Sequence, residues 1–71
     1  MRTVEEIRKS TDRSQIEFAK DIGLSTRSYT NKIHNRQEWK LSEIVKVAEL
    51  NEGEVQVEIN GVNYDITMKK A

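Results

Sequence analysis

Apolar residues recur at helical spacing through the first two thirds of the chain and alternate with polar residues in the last third. The helical part begins with a short segment from Val4 to about Ser10, continues with two short helices between Gln15 and Ile33, and ends with a fourth helix that closes near Gly53. The apolar face predicted for this last helix is Leu41, Ile44, Val45, Val47, Ala48 and Leu50. The pattern predicts a mainly α protein with a C-terminal β-hairpin, which is an α+β class of fold.

Three helix starts are marked by capping residues. Thr3 is followed three residues later by Glu6, and Ser14 stands in the same relation to Glu17, so each pair forms a capping box. Ser25 opens a further helix just after Gly23, a residue that accepts the left-handed conformation common at helix ends. Two short helices separated by a glycine turn predict a helix-turn-helix between Gln15 and Ile33.

The two helices of this motif have distinct inner and outer faces. The inner positions are Phe18, Ala19, Ile22, Tyr29 and Ile33. The outer positions of the second helix are Thr26, Arg27, Thr30, Asn31 and His34. These outer side chains are polar donors and acceptors of the kind that read base edges in a major groove, where Arg pairs with guanine and Asn with adenine.

The last third of the chain has the pattern of a β-hairpin. Asn60-Gly61 is a strong two-residue turn signal, and it pairs Ile59 with Val62. Seven apolar side chains then share one face: Val55, Val57, Ile59, Val62, Tyr64, Ile66 and Met68. This face must pack either on the helices of its own chain or on the same hairpin of a second chain. We expect a homodimer with an interface built by Val55, Val57, Ile59, Val62, Tyr64 and Ile66.

The motif resembles the helix-turn-helix of phage Cro and CI-type repressors, the XRE family. The resemblance is carried by AKDIG and the downstream NKIH, and by Gln15, Ala19, Gly23, Leu24, Ser25, Tyr29 and Ile33, and it extends roughly from Val4 to Leu50. It implies a lambda-repressor-like bundle of four to five short helices that binds a DNA operator. It also implies that Gln15 lies near a phosphate and that Ser25, Thr26, Arg27, Thr30 and Asn31 face bases.

Two positions depart from the pattern of that family. Lys32 stands where many members bury an aliphatic residue, so Ile33 is expected to take over the buried role. Lys40 stands where relatives often have a Ser or Thr cap, which removes a capping bond worth about 1 kcal/mol.

Charge is segregated along a chain whose net charge is zero. Residues 1 to 40 hold nine cations and six acids, whereas the remainder holds three cations and six acids. A DNA backbone would attract the first part and repel the second. The expected backbone contacts are Gln15, Lys32, His34, Arg36 and Lys40, although ordinary solvated charges are the alternative interpretation.

Length and composition limit the remaining possibilities. With 71 residues and no cysteine, we expect one small domain, with a helical part at 1–53 and a hairpin at 54–71 that completes it or forms a dimerisation element. No signal peptide, membrane span or Cys/His metal cluster is evident, so we expect a cytoplasmic protein without metal, cofactor or small-molecule ligand. Trp39 is expected to fill part of the core, with base stacking as the alternative.

These patterns predict sequence-specific binding to double-stranded DNA by a Cro-like phage or prophage regulator, a repressor acting as a homodimer on a two-fold operator. The alternative is an antitoxin or adaptor in which the helical scaffold serves protein interaction. An enzyme is the least favoured class, because His34 is the only histidine and the three glycines are all explained by turns.

Overall fold

A computed structural model describes residues 1–68, so the last three residues of the predicted segment 54–71 lie outside it. The described chain forms four helices followed by two strands: α1 (Val4–Ser10), α2 (Gln15–Asp21), α3 (Thr26–Ile33), α4 (Leu41–Glu49), β1 (Glu54–Ile59) and β2 (Val62–Thr67). The predicted α+β class is confirmed, with four helices in this part of the chain. Among residues 1–68, no helix has the length and apolar character needed to cross a bilayer.

The first two helices begin at the predicted capping boxes. The Thr3 hydroxyl accepts a hydrogen bond from Glu6 N, and the Glu6 carboxylate accepts one from Thr3 N at 3.0 Å. Ser14 and Glu17 repeat this exchange at 3.1 Å in both directions. The bonds from the Thr3 and Ser14 amides hold the pKa of Glu6 and of Glu17 below the ordinary value. The local sequence thus satisfies N–H groups that would otherwise lack partners at each helix start.

One hydrophobic core joins the four helices to β1. Its buried members are Val4, Ile7, Phe18, Ala19, Ile22, Tyr29, Ile44, Val47, Ala48, Val55 and Val57. The predicted inner positions of α2 and α3 are confirmed, except that Ile33 is only partly buried. Trp39 is also partly buried and meets the Tyr29 ring edge to face, with 6.3 Å between the ring centroids.

The apolar face of α4 is shorter than its sequence pattern suggests. Ile44, Val47 and Ala48 are buried, but Leu41 is 71% exposed and Leu50 is 47% exposed. Leu41 is the first residue of the helix and Leu50 follows its last, whereas the buried residues lie between them. The prediction of an inward role for these two leucines is therefore wrong.

The hairpin has the predicted turn and register. Asn60 and Gly61 take φ values of 53° and 79°, the left-handed pair that a type I′ turn requires. Val55 pairs with Ile66, Val57 with Tyr64 and Ile59 with Val62. The sequence pattern and the turn therefore specify the same pairing.

The rest of the molecule covers β1 more completely than β2. β1 packs against α1 and α4, and its outer edge pairs with the segment before α1, where Gln56 N donates to Arg2 O at 2.8 Å. Val55 and Val57 are consequently buried within their own chain, which contradicts their predicted place in a dimer interface. On β2, Val62 and Tyr64 are half exposed, while Ile66 is partly buried against the core, as is Ile59 at the end of β1.

Candidate nucleic-acid interface

The turn between α2 and α3 is a Schellman motif. Leu24 N donates to Ala19 O at 2.8 Å, and Gly23 N donates to Lys20 O at 3.1 Å. Gly23 has a φ of 79°, which a residue with a β-carbon adopts only at a steric cost. Ser25 then caps α3 by accepting from Ser28 N at 3.1 Å. The chain therefore leaves α2 and enters α3 through a turn fixed by hydrogen bonds at both ends.

The inner face of α3 is anchored by Tyr29. Its ring is fully buried and meets Phe18 edge to face, with 5.8 Å between centroids. Its hydroxyl donates a hydrogen bond of 2.7 Å to Glu5 on α1. Burial raises the pKa of Tyr29, and its hydrogen bond to the Glu5 carboxylate raises it further. This tyrosine fixes α3 against both α1 and α2.

Glu5 is the centre of a polar cluster that the sequence did not reveal. Arg8 donates from Nε and Nη2 to the Glu5 carboxylate, and from Nη1 to Arg13 O at 2.8 Å. Burial alone would raise the pKa of Glu5, but hydrogen bonds from Arg8 and Tyr29 hold it below its ordinary value. The three-residue spacing of Glu5 and Arg8 is the only local signal of this contact.

The outer face of α3 carries the predicted base-contacting residues. Ser25, Thr26 and Arg27 are exposed, and Thr30 and Asn31 are partly exposed. The Thr30 hydroxyl donates its proton to Thr26 O at 2.9 Å, so its oxygen is available to a ligand mainly as a hydrogen-bond acceptor. The stretch from residue 22 to residue 37 contains no acidic residue. Within the described chain, this helix therefore offers a polar surface with no acid of its own.

The sequence predicts that Lys32 contacts a DNA phosphate, and the structure contradicts this. The residue is 5% exposed, and its Nζ lies 2.7 Å from Glu43 Oε1 and 2.9 Å from Glu38 O. An ammonium group held by these two acceptors cannot reach a phosphate outside the fold. Lys32 itself occupies the buried position, where its ammonium group pairs with the buried carboxylate of Glu43.

Burial alone would raise the pKa of Glu43. The hydrogen bonds from Lys32 and from Lys40 N, together with the two lysine charges, hold that pKa below its ordinary value instead. Glu43 is therefore a buried anion, and the pair with Lys32 lets both charges be buried together.

The other predicted backbone contacts remain at the surface. His34 and Arg36 are exposed just after α3, and Lys40 is exposed at the start of α4. As expected, Lys40 provides no side-chain cap. Gln15 is partly exposed at the start of α2, with its amide nitrogen 3.5 Å from the Glu5 carboxylate. Gln15 thus lies at the start of α2, and His34, Arg36 and Lys40 lie in the segment between α3 and α4.

The loop after α3 begins with a second Schellman motif. Asn35 has a φ of 60°, Asn35 N donates to Lys32 O at 3.2 Å, and Arg36 N donates to Asn31 O at 2.7 Å. The Asn35 side chain also donates to Glu58 on β1 at 2.7 Å. This contact brings Glu58, one of the acids of the hairpin, close to the end of α3. The separation of charges along the sequence did not predict this proximity.

Comparison with known proteins identifies one family. Residues 6–67 match the model of a family described as a protein of unknown function, DUF739. No curated protein and no solved structure matches the chain significantly. Because the matched region includes all of α2, α3, α4 and the hairpin, the chain belongs to the DUF739 family.

Proposed function

We propose that the protein binds double-stranded DNA in a sequence-specific manner through α3 and regulates transcription as a Cro-like member of the XRE class. The observation that carries this proposal is the contrast between the two faces of α3. Its inner face is fixed by Tyr29 and Lys32, whereas its outer face is polar, acid-free and exposed or partly exposed. An α-helix held in this way can enter a major groove without rearranging.

Each outer side chain has a role that fits its chemistry. The Arg27 side chain is exposed, and its guanidinium can donate two bonds to guanine O6 and N7. Asn31 is suited to the edge of adenine, and Ser25, Thr26 and Thr30 supply shorter polar contacts. Gln15, His34, Arg36 and Lys40 contact phosphates on either side and fix the position of the helix on the duplex.

A net charge of zero is compatible with this proposal because the charges are not evenly spread. Arg8 and Arg13 are in ion pairs with Glu5 and Asp21, and the charge of Lys32 is balanced by Glu43. Arg27, Arg36 and Lys40 form no ion pair within residues 1–68. These three cations on and next to α3, where phosphates would lie, are thus not balanced by a bound carboxylate in the described chain.

The proposal includes a homodimer on a two-fold operator, acting in the cytoplasm as a phage or prophage repressor by occupying a promoter. A single recognition helix makes few base contacts, whereas two related by a two-fold axis reach successive major grooves about 34 Å apart. The supporting feature is β2, where Val62 and Tyr64 are half exposed on a strand that has one free edge in the described chain.

Selection of bound sequences from a random duplex library at physiological salt tests the proposal. We expect enrichment of a site with two-fold symmetry. Arg27→Ala should lower affinity for that site by about 1 to 3 kcal/mol and relax preference at one base position. Lys40→Ala also removes one exposed cation, but it should weaken binding to all sequences alike.

Failure to enrich any sequence would contradict DNA recognition. It would favour the second candidate, an antitoxin or adaptor module, for which the exposed Val62 and Tyr64 on an acidic hairpin are the supporting observation.

A further inference from the structure

Lys32 links α3 to both the following loop and α4. Its Nζ contacts Glu38 O and Glu43 Oε1, and it lies 5.8 Å from the centre of the Trp39 ring. Glu43 Oε1 also accepts a hydrogen bond of 2.9 Å from Lys40 N. One buried ion pair therefore holds three consecutive residues of the loop, 38–40, against the end of α3.

The same loop carries two of the exposed cations next to α3. Residues 34–40, here called the α3–α4 loop, include Arg36 and Lys40. The first half of the loop is fixed by the Schellman motif at Asn35. No comparable backbone bonds join residues 37–39 to α3 in the described chain, so apart from the packing of Trp39 on Tyr29 their position depends on the contacts that Lys32 makes.

An aliphatic residue at position 32 could be buried but could not replace these contacts. It would leave the Glu38 carbonyl and the Glu43 carboxylate without the donor that they now share. Hydrogen bonds to a charged group are directional, whereas apolar packing tolerates shifts of the partner. The lysine therefore specifies where the α3–α4 loop lies, beyond filling space.

We propose that Lys32, with Glu43, is a positioning residue for DNA-backbone binding, a role that rests on the proposed function. Lys32 touches no DNA itself. It holds the second half of the α3–α4 loop so that Lys40 meets a phosphate of the same duplex that α3 enters.

The salt dependence of DNA binding tests this role. In the double variant K32M/E43Q, both charges are removed with little change in volume, and the new glutamine side chain retains an oxygen that can accept from Lys40 N. The slope of log affinity against log salt concentration reports the number of phosphate contacts. We expect the double variant to lose about 1 unit of slope, the contribution of Lys40, while the preferred base sequence stays unchanged.

A second measurement separates positioning from general loss of stability. In the wild-type protein, Lys40→Ala should reduce the slope by about 1 unit, but in the K32M/E43Q background it should have much less effect. Equal effects of Lys40→Ala in the two backgrounds would overturn the inference. A wild-type protein that binds DNA with no salt dependence, or does not bind at all, would instead overturn the proposed function.

If the double variant does not fold, hydrogen exchange in the wild-type protein tests the inference instead. Amide hydrogen exchange should then show the Lys40 amide, which donates to the Glu43 carboxylate that Lys32 holds, protected as strongly as the amides of α3. Free exchange of the Lys40 amide would contradict a loop end held in place by this ion pair.

Discussion

Strands β1 and β2 have the same alternation of apolar and polar residues, yet only β1 is buried. Val57 is 3% exposed, and Tyr64, its direct partner across the hairpin, is 49% exposed. The helices pack against β1, and the segment before α1 pairs with its outer edge, while β2 extends the sheet beyond this cover. Alternation therefore identifies side chains that share a face, but the placement of the helices decides which of them are buried.

The largest effect is expected from placing a charge on β1. Val57→Glu would bury a carboxylate among apolar residues with no partner, at a cost of more than about 3 kcal/mol. A core of this size provides only about 3 to 5 kcal/mol of stability, so we expect the variant to be largely unfolded. Circular dichroism during urea denaturation measures this. A cooperative transition at the wild-type midpoint would show that β1 is not part of the core.

The sequence predicts the structure correctly where the signal is local. The Ser14–Glu17 capping box, the turn at Gly23 and the Asn60-Gly61 hairpin each depend on residues within a few positions of one another. Their geometry follows from backbone hydrogen bonds and from the conformations that glycine and asparagine accept. These features predict the start of α2, the break between α2 and α3 and the turn between β1 and β2, whereas the limits of α4 rest on apolar spacing alone.

Predictions from the sequence are wrong where the deciding contact is between residues far apart in the chain. The surface position predicted for Lys32 is wrong because its partner Glu43, which lets a lysine be buried, lies eleven residues later on another helix. The interface predicted for Val55 and Val57 is wrong because their spacing is the same whether they pack on their own helices or on a second chain. Neither error could be avoided from spacing alone, since both depend on how the helices pack.

An intermediate effect is expected from removing the Tyr29 hydroxyl. Tyr29→Phe deletes a hydrogen bond to the Glu5 carboxylate and should lower the free energy of unfolding by about 1 to 2 kcal/mol. Tyr64→Phe is the matched control on β2, where the side chain is half exposed and a change below about 0.5 kcal/mol is expected. Urea denaturation of both variants at neutral pH measures the difference. Equal losses would mean that the Glu5 cluster contributes nothing to anchoring α3.

The smallest effect on the stability of the monomer is expected from Val62→Glu on β2. The Val62 side chain is 52% exposed, so a carboxylate there stays in water and should cost less than about 1 kcal/mol. Its effect on self-association should be much larger if β2 forms the proposed dimer interface, because each copy would bring an unpaired charge to the contact. Light scattering after size exclusion should then show a dimer for the wild-type protein and a folded monomer for the variant.

Val62→Lys separates loss of apolar contact from repulsion between acids, since the hairpin already carries Glu54, Glu58 and Asp65. If apolar burial holds the dimer together, the lysine variant should be monomeric as well. It should also keep weak binding to a single half-site, because α3 is unchanged, and lose the added affinity for the two-fold site. A dimer that persists in both variants would show that the interface does not include Val62. The exposed apolar residues of β2 would then have to contact a different partner.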